Sequence, residues 1–535
     1  MVSRIGKGKH GMRRFARGLL LILTGVLCLG LFNGHSSAAG EFRARDGNGW
    51  SLTADGVLTI ENNAGWQDYL KDGASEVINK LVIGKNLTDF SLFNSEANDY
   101  VDNGMVCPRF QPKEIEVEDG NPTFVMQDGL LIDTINRIVT SSELSVQNVV
   151  IPEGIREIGA FAFYNRGEID TIQFPSTLKK IGAFAFSDCT NLEALDFPNT
   201  LDWIGDYAFY ECSGVKEVRF SDNLRLIGEA AFISCSFRAL ILPDSIQEIG
   251  SGCFEGCQRL ETVRWPANLK TIGYQIFKDC TNLQAVDLPV GLETIGAEAF
   301  QGCENLTQIA LPSTVTVVYD DAFHGCEKLT DVALTESLQE IGSGAFFSTD
   351  FPLIEFSKTV KVGSYAFGYV HIAVFSGSEN EFGKRFIRRP GEFIFLGTPP
   401  RSFPEYIQDD IHQVVPQVFY TEEYAETWKP ILANGLNGWP TSSISLEEVQ
   451  TRIAQAAIPT PEPTFDEGPW ATDAILGMHI NTPEPYTPPD QPAEDTKTDP
   501  LVYVFAGLLV LVAAGIVAIG VKTRKKQHGK PNRKG

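Results

Sequence analysis

The residues best suited to chemistry in this sequence are seven cysteines that recur at one fixed position. Each lies three residues after a phenylalanine, and the seven are Cys189, Cys212, Cys235, Cys257, Cys280, Cys303 and Cys326. Cysteines can form disulfides or bind a metal, and either would suit an exported protein. However, equivalent side chains in stacked coils stay about 4.8 Å apart, whereas disulfide-linked Cβ atoms lie about 3.8 Å apart. We therefore expect free thiols that act as small buried fillers, with no metal bound.

Residues that could support catalysis are sparse. Between residues 40 and 500 there are four histidines, none at the spacing of metal ligands: His324, His371, His412 and His479. The sequence contains neither a G-x-S-x-G nucleophile motif nor a phosphate-binding glycine loop. We therefore expect a protein without enzymatic activity or cofactor.

The cysteines belong to a phrase that occurs ten times between Ile158 and Phe367. The phrase is an apolar residue, usually glycine, two variable residues, a small residue and phenylalanine, at steps of 23 residues with one step of 22 and one of 21. A period of about 20 to 50 residues is typical of a solenoid, whose units stack and do not fold alone. In one unit, Leu192, Leu195 and Phe197 predict a short strand that Pro198 ends, because proline donates no ladder hydrogen bond.

The full phrase, F-x-x-C-x-x-L-x-x-I-x-L-P-x-x-L-x-x-I-G-x-x-A-F, resembles the BspA-type (Treponema-type) leucine-rich repeat over residues 146–367. The resemblance implies a leucine-rich-repeat solenoid, mostly β with short helical or 3₁₀ corners, with about ten regular repeats and degenerate capping repeats. It also implies extracellular binding, often adhesion, without catalysis. The chain departs from the pattern at Val318-Tyr319, which replaces Ile-Gly, and at Phe237, which comes one residue early. We expect these departures to change the local curvature but not the fold.

The flanking segments predict that the array is displayed outside the cell. Residues 1–39 have the basic, apolar and small-residue order of a signal peptide. Leu501–Val521 carries no charge and is long enough to span a membrane, and the basic tail 522–535 predicts a cytoplasmic C-terminus. The Pro-, Thr- and Glu-rich segment 457–500 predicts an extended stalk.

The remaining boundaries follow from where the phrase is regular. We expect an N-terminal cap over 40–145, a solenoid over 146–370 and a C-terminal cap over 371–456. The N-terminal cap is predicted to contain a hairpin around Asp55-Gly56 and degenerate repeats at Leu81 to Ile83 and from Asn121 to Leu131. The C-terminal cap is predicted to end in an amphipathic helix from Ser445 to Ala456.

The charge of the exported part argues against two classes of partner. Residues 40–500 contain all 68 acidic residues but 31 of the 44 basic ones, which leaves a formal net charge of −37 there. Such a surface repels nucleic acid and anionic lipid. We expect no nucleic-acid partner, and we expect contact with the membrane only through Leu501–Val521.

The outward residues of successive strands predict a continuous exposed face. Its candidate binding residues are Gln173, Asp196, Arg219, Arg264 and Asp287. Arg219 and Arg264 are favoured, because an arginine fork pairs bidentately with a carboxylate. The sequence therefore predicts noncovalent binding of a protein or glycan on a host, on matrix or on neighbouring cells. A structural scaffold that contacts components of its own cell envelope is the alternative.

Overall fold

The computed structural model describes residues 44–71, 78–90, 112–356, 360–376, 380–400, 416–433 and 439–456. Short parallel strands stack in coils about 23 residues apart over most of this length, which confirms the predicted leucine-rich-repeat solenoid. Within these ranges no helix is both long and apolar enough to cross a bilayer. The predicted signal peptide, stalk, membrane span and tail all lie outside the described residues.

Two columns of strands run along the array. We call the first the strand face, and its strands are β9 (Asn148–Val150), β11 (Thr171–Gln173), β13 (Ala194–Asp196), β15 (Glu217–Arg219), β17 (Ala239–Ile241), β19 (Thr262–Arg264), β21 (Ala285–Val286), β23 (Gln308–Ala310) and β25 (Asp331–Ala333). We call the second the glycine side, and its strands are β10 (Glu157–Ile158), β12 (Lys180–Ile181), β14 (Trp203–Ile204), β16 (Leu226–Ile227), β18 (Glu248–Ile249), β20 (Thr271–Ile272), β22 (Thr294–Ile295), β24 (Val317–Val318), β26 (Glu340–Ile341), β28 (Lys361–Val362) and β30 (Glu381–Phe382).

The repeat phenylalanines fill the interior between these columns. They form a stack whose consecutive ring centroids lie 4.8–5.9 Å apart, and its members are Phe163, Phe186, Phe209, Phe232, Phe254, Phe277, Phe300, Phe323, Phe346 and Phe367. All ten are fully buried. One continuous apolar core therefore joins coils that could not fold separately.

A third side, the turn side, connects each repeat glycine to the following cysteine without strands. Alternate N–H groups there donate to the next coil, as from Phe184 to the Asp206 carbonyl at 3.0 Å and from Phe186 to the Ala208 carbonyl at 2.8 Å. This pattern requires some residues to adopt the left-handed backbone conformation. Phe184 is one of them, with a φ of 55° although it is not glycine. The bonds between coils offset the backbone strain of about 1–3 kcal/mol at such a residue.

The glycine that opens the turn side is required by close approach. A Cβ atom at Gly205 would lie 2.7 Å from the backbone nitrogen of Ala183 in the preceding coil. The absent side chain therefore lets adjacent backbones pack closely.

The N-terminal cap begins with a five-stranded sheet. Its elements are β1 (Arg45–Gly47), β2 (Trp50–Leu52), β3 (Val57–Asn62), α1 (Asn63–Lys71), β4 (Lys80–Asn86) and β5 (Glu114–Val117). β2 and β3 pair antiparallel around Asp55-Gly56, which confirms the predicted hairpin. β3, β4 and β5 are parallel, so coiling begins within the cap.

A second antiparallel unit joins the cap to the array through β6 (Phe124–Gln127), β7 (Leu130–Asp133) and β8 (Ile138–Ser142). The prediction that Asn121 to Leu131 forms a degenerate repeat is wrong, because β6 and β7 form a hairpin. Asp128 and Gly129 both have positive φ, 51° and 78°, as a two-residue hairpin turn requires.

Longer strands form the C-terminal end of the array. These are β27 (Phe346–Phe356), β29 (Phe367–Phe375), β31 (Ile387–Phe395), β32 (Gln417–Thr421) and β33 (Thr441–Ile444), all parallel in one sheet. The predicted solenoid boundary at residue 370 falls inside β29, and the coils continue beyond it through β30 and β31.

A 3₁₀ helix (Glu422–Tyr424) and α2 (Ala425–Ala433) follow β32, and α3 (Leu446–Ala456) follows β33. The predicted helix from Ser445 to Ala456 is thereby confirmed.

Candidate functional site: the strand face

The five predicted binding residues lie on the strand face and are exposed. Asp196 pairs in register with Arg219, and Ile241 pairs in register with Arg264, because each strand lies one repeat from its neighbour. Gln173 ends β11, and Asp287 directly follows β21. The parallel register therefore places Asp196 beside Arg219 and Ile241 beside Arg264, while the ladder is interrupted between β11 and β13 and between β15 and β17.

Several charges on this face are already paired between adjacent coils. Arg219 forms an ion pair with Asp196, and Lys216 lies 2.7 Å from Glu193. The ion pair of Arg264 is longer, since its guanidinium lies 3.7 Å from the carboxylate of Asp244. Exposed pairs of this kind contribute about 0–1 kcal/mol each, so a ligand carboxylate could replace a partner at low cost.

An apolar side chain occupies the middle of the charged half of the face. Ile241 is 40% exposed and lies between the coils that carry Arg219 and Arg264. An exposed isoleucine flanked by arginines has the composition of a protein-binding hot spot with a polar rim. The sequence column contains Ile241, but its importance depends on an exposure that only the fold decides.

The strand face changes character towards the C-terminus. The equivalent outward positions are Ala310, Ala333 and the exposed Glu355, and then Val374 and Ile394, which α3 covers through Val449. Nη1 of Arg452 on α3 donates to both carboxylate oxygens of Glu392 on β31, with both distances 2.7 Å. The accessible face therefore ends where α3 lies on the sheet.

The cysteine column is buried and hydrogen-bonded. Each of the seven thiols donates to the carbonyl of the repeat phenylalanine one coil earlier, as from Cys212 to Phe186 at 2.9 Å. Burial raises the pKa of the Cys212 thiol, which disfavours the reactive thiolate. The cysteines therefore act as hydrogen-bond donors as well as fillers, a role that the sequence analysis missed.

A cleft opens on the glycine side, where β18 and β20 are not paired although the coils on both sides of them are. Its volume is about 190 Å³, and its lining includes Ile249, Trp265 and Ile276. Other repeats have Phe, Leu or Ile in place of Trp265, and Ala or Cys in place of Ile276. We expect these two larger side chains in one coil to keep β18 and β20 apart.

Of the two predicted departures, only one coincides with an interruption in a ladder. β15 and β17 are unpaired on either side of Phe237. β24 at Val318 pairs with both of its neighbours, so the Val318-Tyr319 departure leaves the ladder intact.

Three carboxylates on the turn side have pKa values that burial raises. Burial raises the pKa of Glu255 to about 7, and burial also raises the pKa of Asp188 and of Glu211. In the part of the chain that the structure describes, no group of three or more His, Cys, Asp or Glu is placed to hold a metal ion.

Comparison with known proteins gives one family and several related structures. A model described as the BspA type leucine rich repeat region matches residues 134–261 and 247–373. A search of curated proteins found no match.

Three similar solved structures are a T. pallidum leucine-rich repeat protein, a Bacteroides ovatus leucine-rich repeat protein and the pneumococcal vaccine antigen PcpA. The first is 30% identical, with 34% of this chain and 87% of that chain covered and a TM-score of 0.31. The second is 19% identical, with 60% of this chain and 98% of that chain covered and a TM-score of 0.32. The third is 17% identical, with 75% of this chain and 98% of that chain covered and a TM-score of 0.38.

The matched family model and the 30% identity across most of the T. pallidum protein agree with the repeat phrase and the coiled fold. This chain belongs to the BspA-type leucine-rich repeat family.

Proposed function

We propose that this chain is a single-pass cell-surface protein that binds other proteins noncovalently through the strand face. The observation that carries the proposal is the exposed Ile241, which lies in the coil between those of Arg219 and Arg264 and pairs in register with Arg264. A continuous face of this kind suits an extended interface, and the family is typically noncatalytic.

Display outside the cell supports the same function. The family is typically surface-associated. Residues 1–39 have the pattern of a signal peptide, and Leu501–Val521 has the length and composition of a membrane span. We propose that residues 40–500 are extracellular, that the C-terminal tail is cytoplasmic, and that the interaction is adhesion to a host, to matrix or to neighbouring cells.

Binding is tested with the full chain displayed on cells and a panel of soluble matrix and host-surface proteins. Ile241→Glu should reduce capture of the bound protein at least tenfold, because it places a charge at the centre of the interface. Ile135→Glu is the matched control, since Ile135 is 67% exposed and lies between β7 and β8, away from the strand face. Equal loss in both variants, or no loss in Ile241→Glu, would contradict the proposal.

The same display separates adhesion from an envelope scaffold. Capture of components of the cell's own envelope, with none of the matrix or host proteins, would favour the scaffold. Protease digestion of intact cells tests the topology, because residues 40–500 should be cleaved while the tail is protected.

A further inference from the structure

A group of arginine and aromatic side chains lies on the C-terminal coils, apart from the strand face. We call it the arginine patch, and it consists of Phe347, Tyr369, His371, Arg388 and Arg389. Arg389 is five residues, or about 16 Å, along β31 from Ile394, which is in line with the strand face.

The register of three strands assembles the patch. Tyr369 on β29 pairs with Asp350 on β27 and with Arg389 on β31. The register of β27 shifts between Phe346 and Asp350, and beside this shift the guanidinium carbon of Arg388 lies 4.9 Å from the centre of the Phe347 ring. A Cβ atom at Gly368 would lie 2.5 Å from the carbonyl oxygen of Thr349, so the bare backbone of β29 packs closely against β27 beside this contact.

Two cations in the patch are available to a ligand. Arg388 and Arg389 are both exposed, and within the described ranges neither forms an ion pair with a carboxylate. The nearby Asp350 carboxylate instead contacts His371 at 3.0 Å. The cation–π contact of Arg388 leaves its N–H groups able to bind an anion.

The charge of the patch contrasts with the rest of the exported chain. Residues 384–389 contain four basic residues, Lys384, Arg385, Arg388 and Arg389, while residues 40–500 as a whole are strongly acidic. Short segments rich in Lys and Arg are typical of surfaces that bind heparin-like polyanions. An acidic protein with a broad interface would also cover the acidic surface around the patch, which would repel it. A thin acidic polymer could contact the patch alone.

We propose that the arginine patch binds an acidic polysaccharide. Sulfate or carboxylate groups would pair with the guanidinium groups of Arg388 and Arg389, and sugar rings would pack beside Tyr369 and His371, whose rings lie 4.2 Å apart. This site is separate from the strand face, so the two binding functions can succeed or fail independently.

Site-resolved arginine modification tests the proposal on the full chain in detergent, with heparin as the probe. Phenylglyoxal modification of each arginine is followed by mass spectrometry. Heparin should slow modification of Arg388 and Arg389 at least fivefold and leave Arg219 unchanged, and neutral dextran should protect none. No slowing at Arg388 and Arg389 would overturn the proposal, and equal protection by single-stranded DNA would overturn the assignment to polysaccharides. Because the readout resolves each arginine, binding of heparin to the basic termini does not interfere.

Two double variants of equal charge provide the second measurement. Arg388→Gln/Arg389→Gln should weaken heparin binding at least threefold more than Arg219→Gln/Arg264→Gln, and the weakening should diminish at high salt. Equal losses would show that only net charge matters and would overturn the site. Retention of protein capture by the Arg388→Gln/Arg389→Gln variant would separate this site from the strand face.

Discussion

Replacing one central phenylalanine measures how far the array depends on its continuous core. Phe209 is fully buried, and its ring centroid lies 5.2 Å from that of Phe186 and 5.2 Å from that of Phe232. Burial of this kind makes Phe→Ala cost about 3–5 kcal/mol. Backbone ladders hold the adjacent coils apart, so the cavity cannot collapse, and we expect Phe209→Ala to cost about 5 kcal/mol.

The loss should appear as a change in cooperativity as well as in stability. A typical domain has a free energy of unfolding of about 5–15 kcal/mol, and coils interact mainly with their nearest neighbours. The coils on the two sides of the cavity should therefore unfold in separate transitions in urea, with faster amide exchange at the damaged coil. Phe209→Leu keeps most of the volume and should cost less than about 1.5 kcal/mol.

Phe184 provides the matched control. Its ring is stacked as closely, with centroids 4.9 Å from Phe161 and 4.7 Å from Tyr207, but it lies on the turn side and is only half-buried. Phe184→Ala should therefore cost clearly less than Phe209→Ala. Equal costs would refute the reasoning, because ring stacking and not burial would then account for the stability.

Three further predictions concern single coils. Gly205→Ala should lower the urea midpoint of unfolding, because the new Cβ would lie 2.7 Å from a backbone nitrogen. Gly291→Ala is the control and should be nearly neutral, because its Cβ would meet only a lysine side-chain nitrogen at 3.3 Å. Equal midpoints for the two variants would contradict the close-approach argument. Burial raises the pKa of Glu255 from 4.5 to about 7, so its contribution to stability is present below pH 4.5 and is lost as the pH rises to about 7. Glu255→Gln should therefore raise the urea midpoint at pH 8 and change it little at pH 4. A larger effect at pH 4 than at pH 8 would contradict the raised pKa of Glu255. Trp265→Leu/Ile276→Ala should let β20 pair with β18 and slow amide exchange in β20, and unchanged exchange would show that these side chains do not hold the cleft open.

The repeat phrase predicted the coil because each position has one dominant physical role. The glycine before Phe209 allows close backbone approach, and the phenylalanine fills the interior, so both can be inferred without coordinates. Roles that depend on the neighbouring coil were harder to infer. The Cys212 thiol was predicted to be a filler, yet its acceptor is a carbonyl 26 residues earlier. Recurrence of cysteine where alanine would also fit was the signal for that hydrogen bond.

Irregular segments were predicted less well because their sequence pattern fits more than one structure. Asp128-Gly129 occurs among apolar residues that suit either a degenerate coil or a hairpin, and the two positive φ angles decide for the hairpin. After Cys326 the phrase loses its cysteine and after Ile341 its step shortens, but the backbone ladder continues past residue 370, with Lys361 paired to Glu381. Parallel pairing tolerates these changes because it needs backbone groups in register more than particular side chains.

By itself the sequence determined that this protein is a coiled array with one apolar interior, because near-identical units bury their apolar residues only by stacking. It also determined which residues face outwards along the strand face. Only the tertiary structure decided which outward charges neutralise each other, where α3 ends the strand face, and that Arg388 lies over the ring of Phe347. These features depend on contacts between side chains about 20 or more residues apart, and the register that creates such contacts exists only in the folded chain.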